Sequence, residues 1–192
     1  MELKGKKIGF AICGSFCTFK KVIEELSTLA KTGADIFPIM SYVSSELDTR
    51  FGTADDFMTM IKNITNKDII TTIPQAEPIG PKNYLDALIV APCTGNTIAK
   101  LANGITDTPV TMAVKATLRN QKPIIIAVST NDGLSASAKN IGMLLNTKNI
   151  YFVPFGQDDC INKKTSLVAD MTKIIETTEN ALDGIQIQPL LF

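Results

Sequence analysis

Small hydroxyl and amide residues recur at the ends of apolar runs in this chain, and they are its strongest chemical signal. Gly14-Ser15 closes the run that begins at Lys7, and Ser41 and Ser44 follow the run Asp35–Met40. Pro92-Cys-Thr-Gly-Asn-Thr97 follows the run that begins at Leu85, and Ser129-Thr130-Asn131 ends the one that begins at Lys122. Glycine lets a backbone approach an anion closely, hydroxyls donate to phosphate oxygens, and helices opening soon after Ser15 and Thr94 add oriented N–H groups. The same residue types also cap helices. At Gly14-Ser15 the two roles stand side by side, whereas from Thr94 to Thr97 several polar side chains converge on one strand end, which favours a ligand. No G-x-G-x-x-G follows the first apolar run and no G-x-x-x-x-G-K-[ST] occurs, so the pattern suits a mononucleotide better than a dinucleotide or a P-loop nucleotide.

Other chemistries are excluded by composition. None of the 192 residues is histidine, which removes Ser-His-Asp and Cys-His catalysis and histidine-ligated zinc, and no metal is expected. Cys13, Cys17, Cys93 and Cys160 follow no secretory signal, and the Cys13–Cys17 spacing is one residue too long for a C-x-x-C redox pair, so free thiols are expected. Cys93 reads either as a soft neighbour of a bound ring or as a small buried hydrophobe. Lys plus Arg and Asp plus Glu each number 19, and the positive charges are scattered, which leaves no electrostatic footprint for nucleic acid. The apolar run after the basic start is too short for a signal segment and no later stretch is long enough to span a membrane, so a cytoplasmic protein is expected.

The elements that must position these residues follow from periodicity. Lys7–Cys13, Leu85–Pro92 and Lys122–Thr130 are continuous apolar runs of the kind buried on both faces of a parallel sheet, with Asp35–Met40 a strand near an edge because of Pro38. Helical spacing predicts helices over Thr18–Lys31, from Thr53 to about Ile64, and over Thr94–Asn103, Pro109–Asn120, Ser135–Leu145 and Leu167–Leu182. Ser41–Gly52 reads as irregular, Ile69–Pro81 as loop with at most one short strand, and 150–154 as a short strand. Strands alternating with helices, without repeats or linkers, predict one α/β domain over residues 1–192 with a mainly parallel sheet. Ligands in such sheets bind beyond the carboxyl ends of the strands, where all four hydroxyl-rich segments fall.

The segment from Ala91 to Asp107 resembles the APxTxNTxxKxAxGxxD signature of the homo-oligomeric flavin-containing cysteine decarboxylase superfamily, with Asn96, Thr97, Lys100, Ala102, Gly104 and Asp107 in step. That resemblance implies a Rossmann-like three-layer sandwich of flavoprotein type that binds FMN. By the same resemblance Gly14, Ser15 and Ser41 hold the FMN phosphate, Thr94 and Asn96 match flavin-site positions, and Asn131 matches the asparagine of the superfamily's P-A-M-N motif, here Val128-Ser-Thr-Asn131. Together with Ser44, Pro92, Thr97, Ser129 and Thr130, which the strand-end reading supplies, these are the candidate cofactor residues. Lys100 reads either as a cofactor contact or as half of a helix ion pair.

Within the superfamily, blocks over nearly the whole chain are similar to the family of dipicolinate synthase B subunits. They include Asp48–Gly52, Ala76–Lys82, Lys115–Gln121, Ser129–Asp132, Lys148–Asp159, Ser166–Met171 and the ending Ile187–Phe192. The resemblance implies a protein acting with a nicotinamide-dependent A subunit, which uses NAD or NADP, to oxidise a tetrahydrodipicolinate to dipicolinate in the mother cell of a sporulating bacterium. It also implies a homo-oligomer, trimeric or dodecameric. A dicarboxylate substrate calls for cations, and of the two arginines Arg50 lies in a loop on the expected ligand edge, either touching substrate or solvated, while Arg119 falls on a helix face with Lys115. No catalytic residue is assigned. A stand-alone FMN-dependent decarboxylase or flavin prenyltransferase, and a non-catalytic scaffold, are the alternatives, with the decarboxylase form disfavoured by the missing histidine.

Overall fold

The computed structural model describes residues 3–192. Among them, seven strands form one sheet: β1 (Lys7–Ile12), β2 (Asp35–Met40), β3 (Ala87–Cys93), β4 (Ile124–Thr130), β5 (Ile150–Phe152), β6 (Phe155–Gly156) and β7 (Leu167–Ala169). The helices of the described residues connect them: α1 (Phe19–Lys31), α2 (Tyr42–Glu46), α3 (Ala54–Thr65), α4 (Ile73–Ala76), α5 (Ile79–Lys82), α6 (Gly95–Ala102), α7 (Pro109–Arg119), α8 (Ala138–Leu145) and α9 (Ile174–Leu182). The path runs β2-β1-β3-β4-β7-β6, with β5 also paired to β4. β1 to β5 are parallel, and β7 joins both β4 and β6 antiparallel. Helices cover both faces, which is the three-layer α/β sandwich expected.

The central strands are apolar throughout because both their faces are covered: β3 is buried along its whole length and β4 as far as Ser129. On one side α1 and α9 pack together, and α1 buries Phe19, Val22, Leu26 and Leu29, one stripe of an amphipathic helix. α7 packs across β2, β3 and β4 with α4 and α5 against it. Pro38 is tolerated because β2 is an edge strand; its carbonyl, which points the way its missing N–H would, accepts from Ile70 on the outer side at 2.9 Å.

The structure departs from the sequence expectations in three stretches. Ser41–Gly52 holds the short helix α2, capped by Ser41, and Ile69–Pro81 holds α4 and α5. The closing helix begins only at Ile174, because Leu167–Ala169 is strand β7. Leu167 and Ala169 are buried and Val168 half-buried, a period of two too short to separate from a helical stripe without its pairing partners Ser129 and Thr130.

Candidate functional site

β1 has β2 on one side and β3 on the other, so chain leaving β1 and chain leaving β3 diverge and open a crevice at their carboxyl ends. Two hollows meet there, of about 500 Å³ and 350 Å³, sharing Gly14, Thr94 and Asn96 on their common wall. Both are within the size range of small-ligand sites.

The smaller hollow lies toward β2. Ser41, Tyr42, Thr97, Lys100 and Thr108 line it with Cys13. Ser41 caps α2 and its hydroxyl meets that of Ser44 at 2.9 Å. Ser44 itself is fully buried and donates to the Ile12 carbonyl at 2.9 Å, so its hydroxyl ties α2 to β1 and does not reach the hollow. Thr94 caps α6, accepting from the Thr97 N–H, while the Thr97 hydroxyl donates to Cys13 Sγ at 3.3 Å. Lys100 is held by both carboxylate oxygens of Asp107 at 2.8 and 2.9 Å, so the ion pair is formed.

The larger hollow lies toward β4. Ser15, Ser129, Thr130 and Asn131 line it, and the Ser15 and Ser129 hydroxyls are 2.8 Å apart across the gap between the β1 and β4 ends. Gly95 must be glycine for packing: a Cβ there would stand 2.5 to 2.7 Å from Thr130 Oγ1, Asp132 Oδ1 and Ser137 Oγ. Those three form a network in which Thr130 and Ser137 both donate to Asp132 Oδ1, fixing the β4–α8 turn against the start of α6. Phe16 and Phe51 add aromatic walls.

Pro92 and Cys93 stay below the floor. Both are fully buried, and the Pro92 carbonyl accepts from the Cys13 N–H at 3.2 Å. Burial pushes the Cys93 thiol well above its ordinary value and its hydrogen bond to Cys13 adds to this, in keeping with a small buried hydrophobe. Arg50 does not line either hollow; its guanidinium carbon lies 4.9 Å above the ring of Phe51, the rim residue that does. Arg119 is exposed on α7.

Sequence reasoning missed the far wall of the larger hollow. The antiparallel pair β6 and β7 hangs the loop 157–166 beside the cleft and adds Asp158, Lys163 and Ser166 to its lining. Lys163 pairs with Asp158 at 2.8 Å. Buried surroundings oppose it, but hydrogen bonds from Lys163 and Ser166 hold the Asp158 carboxyl below its ordinary value. The loop is tied down: Asp159 accepts from the Ile161 and Asn162 N–H groups, Gln157 donates to the Lys164 carbonyl, and Thr165 donates to the Asn131 carbonyl at 2.7 Å. The sequence cue is the cluster of polar residues after Gly156, which does not reveal where the loop docks.

An α/β sandwich with a hydroxyl-lined crevice at its switch point defines a class, and residues 1–183 match the flavoprotein family, to which the chain therefore belongs. The chain is 44% identical over 190 residues, covering 99% of it and 95% of the relative, to the dipicolinate synthase B subunit of Bacillus subtilis. The crystal structure of the dipicolinate synthase B subunit from Bacillus halodurans is similar over 100% of this chain and 98% of that one, at 45% identity and a TM-score of 0.92. The FMN-dependent cysteine decarboxylase SpaF shares the fold, with 22% identity, a TM-score of 0.68 and coverage of 94% and 97%.

Proposed function

We propose that this chain is the FMN-binding subunit of a dipicolinate synthase. In this reading it works with a nicotinamide-dependent A subunit, which uses NAD or NADP, to oxidise a tetrahydrodipicolinate to dipicolinate during sporulation, in the mother-cell cytoplasm. The observation that carries the reading is the whole-length likeness to the Bacillus subtilis protein, 44% identity over 99% of the chain. FMN is supported by the family and by the donor set: hydroxyls, amides and two phenyl rings around adjoining hollows suit a ligand with a phosphate, a polyol and an aromatic ring. A homo-oligomer, trimeric or dodecameric, belongs to the same reading.

Bound FMN supplies a two-electron acceptor for oxidation of a partly reduced ring. The chain's own residues hold and orient. Gly14, Ser15 and Ser41 furnish the phosphate contacts. Thr94 and Asn96 sit on the wall common to both hollows, where they orient whatever spans them. Thr130 is held by Asp132, and Asn131 follows it in the lining of the larger hollow. With no histidine in the chain, substrate positioning carries the protein's part, and aromatisation of the product provides driving force.

The test is the visible spectrum of the purified protein, with any released flavin identified, repeated after anaerobic addition of tetrahydrodipicolinate and the A subunit. An FMN band that bleaches is the expected result. FMN that stays oxidised while dipicolinate forms makes the chain a scaffold, and decarboxylation or prenyl transfer by the chain alone makes it a stand-alone enzyme. Failure to take up supplied FMN overturns the cofactor assignment.

A further inference from the structure

We infer that Lys163 is the cation that receives a carboxylate of the substrate at the mouth of the larger hollow, with Asp158 as the counter-ion it leaves when substrate binds. The inference rests on the dicarboxylate reading above and assigns that substrate's anchoring to a residue on the β6–β7 loop instead of Arg50.

Among the described residues, two ammonium groups line the crevice. Lys100 is only 22% exposed and is gripped by both oxygens of Asp107, so little of its hydrogen-bonding capacity is free. Lys163 is 55% exposed and touches a single oxygen of Asp158, which leaves donors of its ammonium free for a second anion. Arg50 is turned onto the Phe51 ring and does not line the crevice. An anionic group entering the larger hollow from solvent therefore meets Lys163 as its available charged donor.

Position and field agree with this role. Lys163 also borders a neighbouring hollow of about 410 Å³, whose wall carries Glu24, Glu25 and Asp170 against one further cation, Lys21. Asp158 borders both hollows, and beyond it the neighbouring wall sets three carboxylates against Lys21. The crevice lining adds only Asp132, already occupied by the Thr130 and Ser137 hydroxyls, among hydroxyl and amide groups, so an incoming carboxylate is repelled less on the crevice side. The loop's ties to Asn131 and within its own turn hold the backbone at Lys163 in place beside Ser129 and Thr130, so engaging substrate requires movement of a side chain and not of the loop.

The experiment is calorimetric titration of pyridine-2,6-dicarboxylate, and of the uncharged pyridine-2,6-dicarboxamide, into FMN-reconstituted and flavin-free protein. The variants are Lys163→Met, Lys163→Arg, Asp158→Asn and Arg50→Met. Loss of one charge-assisted hydrogen bond predicts a dicarboxylate affinity about tenfold to a hundredfold weaker in Lys163→Met. Lys163→Arg should stay within a few-fold of the parent, and Asp158→Asn should bind more tightly because the competing counter-ion is gone. Dicarboxamide and FMN affinities should not move. The inference is overturned if the parent binds no dicarboxylate, if Lys163→Met binds it normally, if Arg50→Met alone loses it, or if Lys163→Met loses FMN. Equal weakening by Lys163→Met and Asp158→Asn also overturns it, since that marks a merely structural pair. A Lys163-dependent titration in protein that never takes up FMN removes the flavin reading and leaves this one standing.

Discussion

The two hollows of the crevice are built by opposite means. The smaller one stands on parallel strands whose ends are closed by capping hydroxyls: Ser41 caps α2, Thr94 caps α6, and Thr97 is tied to Cys13. Its one ammonium is neutralised by two oxygens of Asp107. The far wall of the larger one hangs from a two-residue strand paired antiparallel with a three-residue strand, and presents a looser ion pair. The contrast teaches that a rigid, neutral cradle and an adjustable charged rim can share one sheet edge. The first suits one end of a resident ligand that spans both hollows, the charged rim of the second a ligand that must come and go.

The hardest test is Gly95, which lines the larger hollow at the start of α6, between Thr94 and Asn96 of the wall shared with the cradle. Gly95→Ala forces a Cβ into the network of Thr130, Asp132 and Ser137, and overpacking of this kind costs about 1–3 kcal/mol. A urea midpoint shift of that size, with loss of FMN uptake, is expected. Unchanged stability would show that the β4–α8 turn is not fixed against α6 and that the two regions differ less than they look.

Ser15→Ala probes the junction. It removes the 2.8 Å contact with Ser129 and one proposed phosphate donor, so FMN affinity should fall about tenfold, in line with one hydrogen bond to a charged group. Fluorescence titration of FMN measures it. The matching change on the rim, Lys163→Met, should leave the same titration unmoved, and that pairing is the sharpest expression of the contrast.

How much of this was legible in the sequence follows the same division. The cradle's segments could be found because each is a hydroxyl-rich step after a buried run, and the switch-point rule gathers them at one edge. Even there the lining of the two hollows leaves out Ser44 and Pro92, because residue type does not say whether a serine hydroxyl faces the hollow or ties α2 to β1, nor how deep in β3 a proline lies. The rim was invisible. Leu167–Ala169 is too short for its alternation to register and owes its strand conformation to pairing with Ser129 and Thr130, residues far away in the chain. Asp158, Lys163 and Ser166 reach the crevice only as a result of that pairing.

A control away from the crevice is Thr117 on α7, whose hydroxyl is buried without a hydrogen-bond partner. Thr117→Val removes the unsatisfied group at nearly constant volume, so stability should hold or rise by up to about 1 kcal/mol, with FMN and dicarboxylate titrations unchanged. A loss of binding would mean that α7 communicates with the crevice and would blur the separation between core and site.

The smallest effect is expected from the acid titration of the rim. Asp158 titrates below its ordinary value of 3.8 in the folded chain because Lys163 and Ser166 stabilise its charged form. A depressed carboxyl contributes stability that is complete above its unfolded value and disappears as pH falls through the folded one. Urea midpoints of the parent and Asp158→Asn should therefore differ by a constant amount near neutrality and converge as pH drops below about 3.8. Added salt should shrink the neutral-pH difference, as screening does for exposed pairs. A difference that persists at low pH would mean that Asp158 is held by packing and not by charge, which would make the rim as fixed as the cradle.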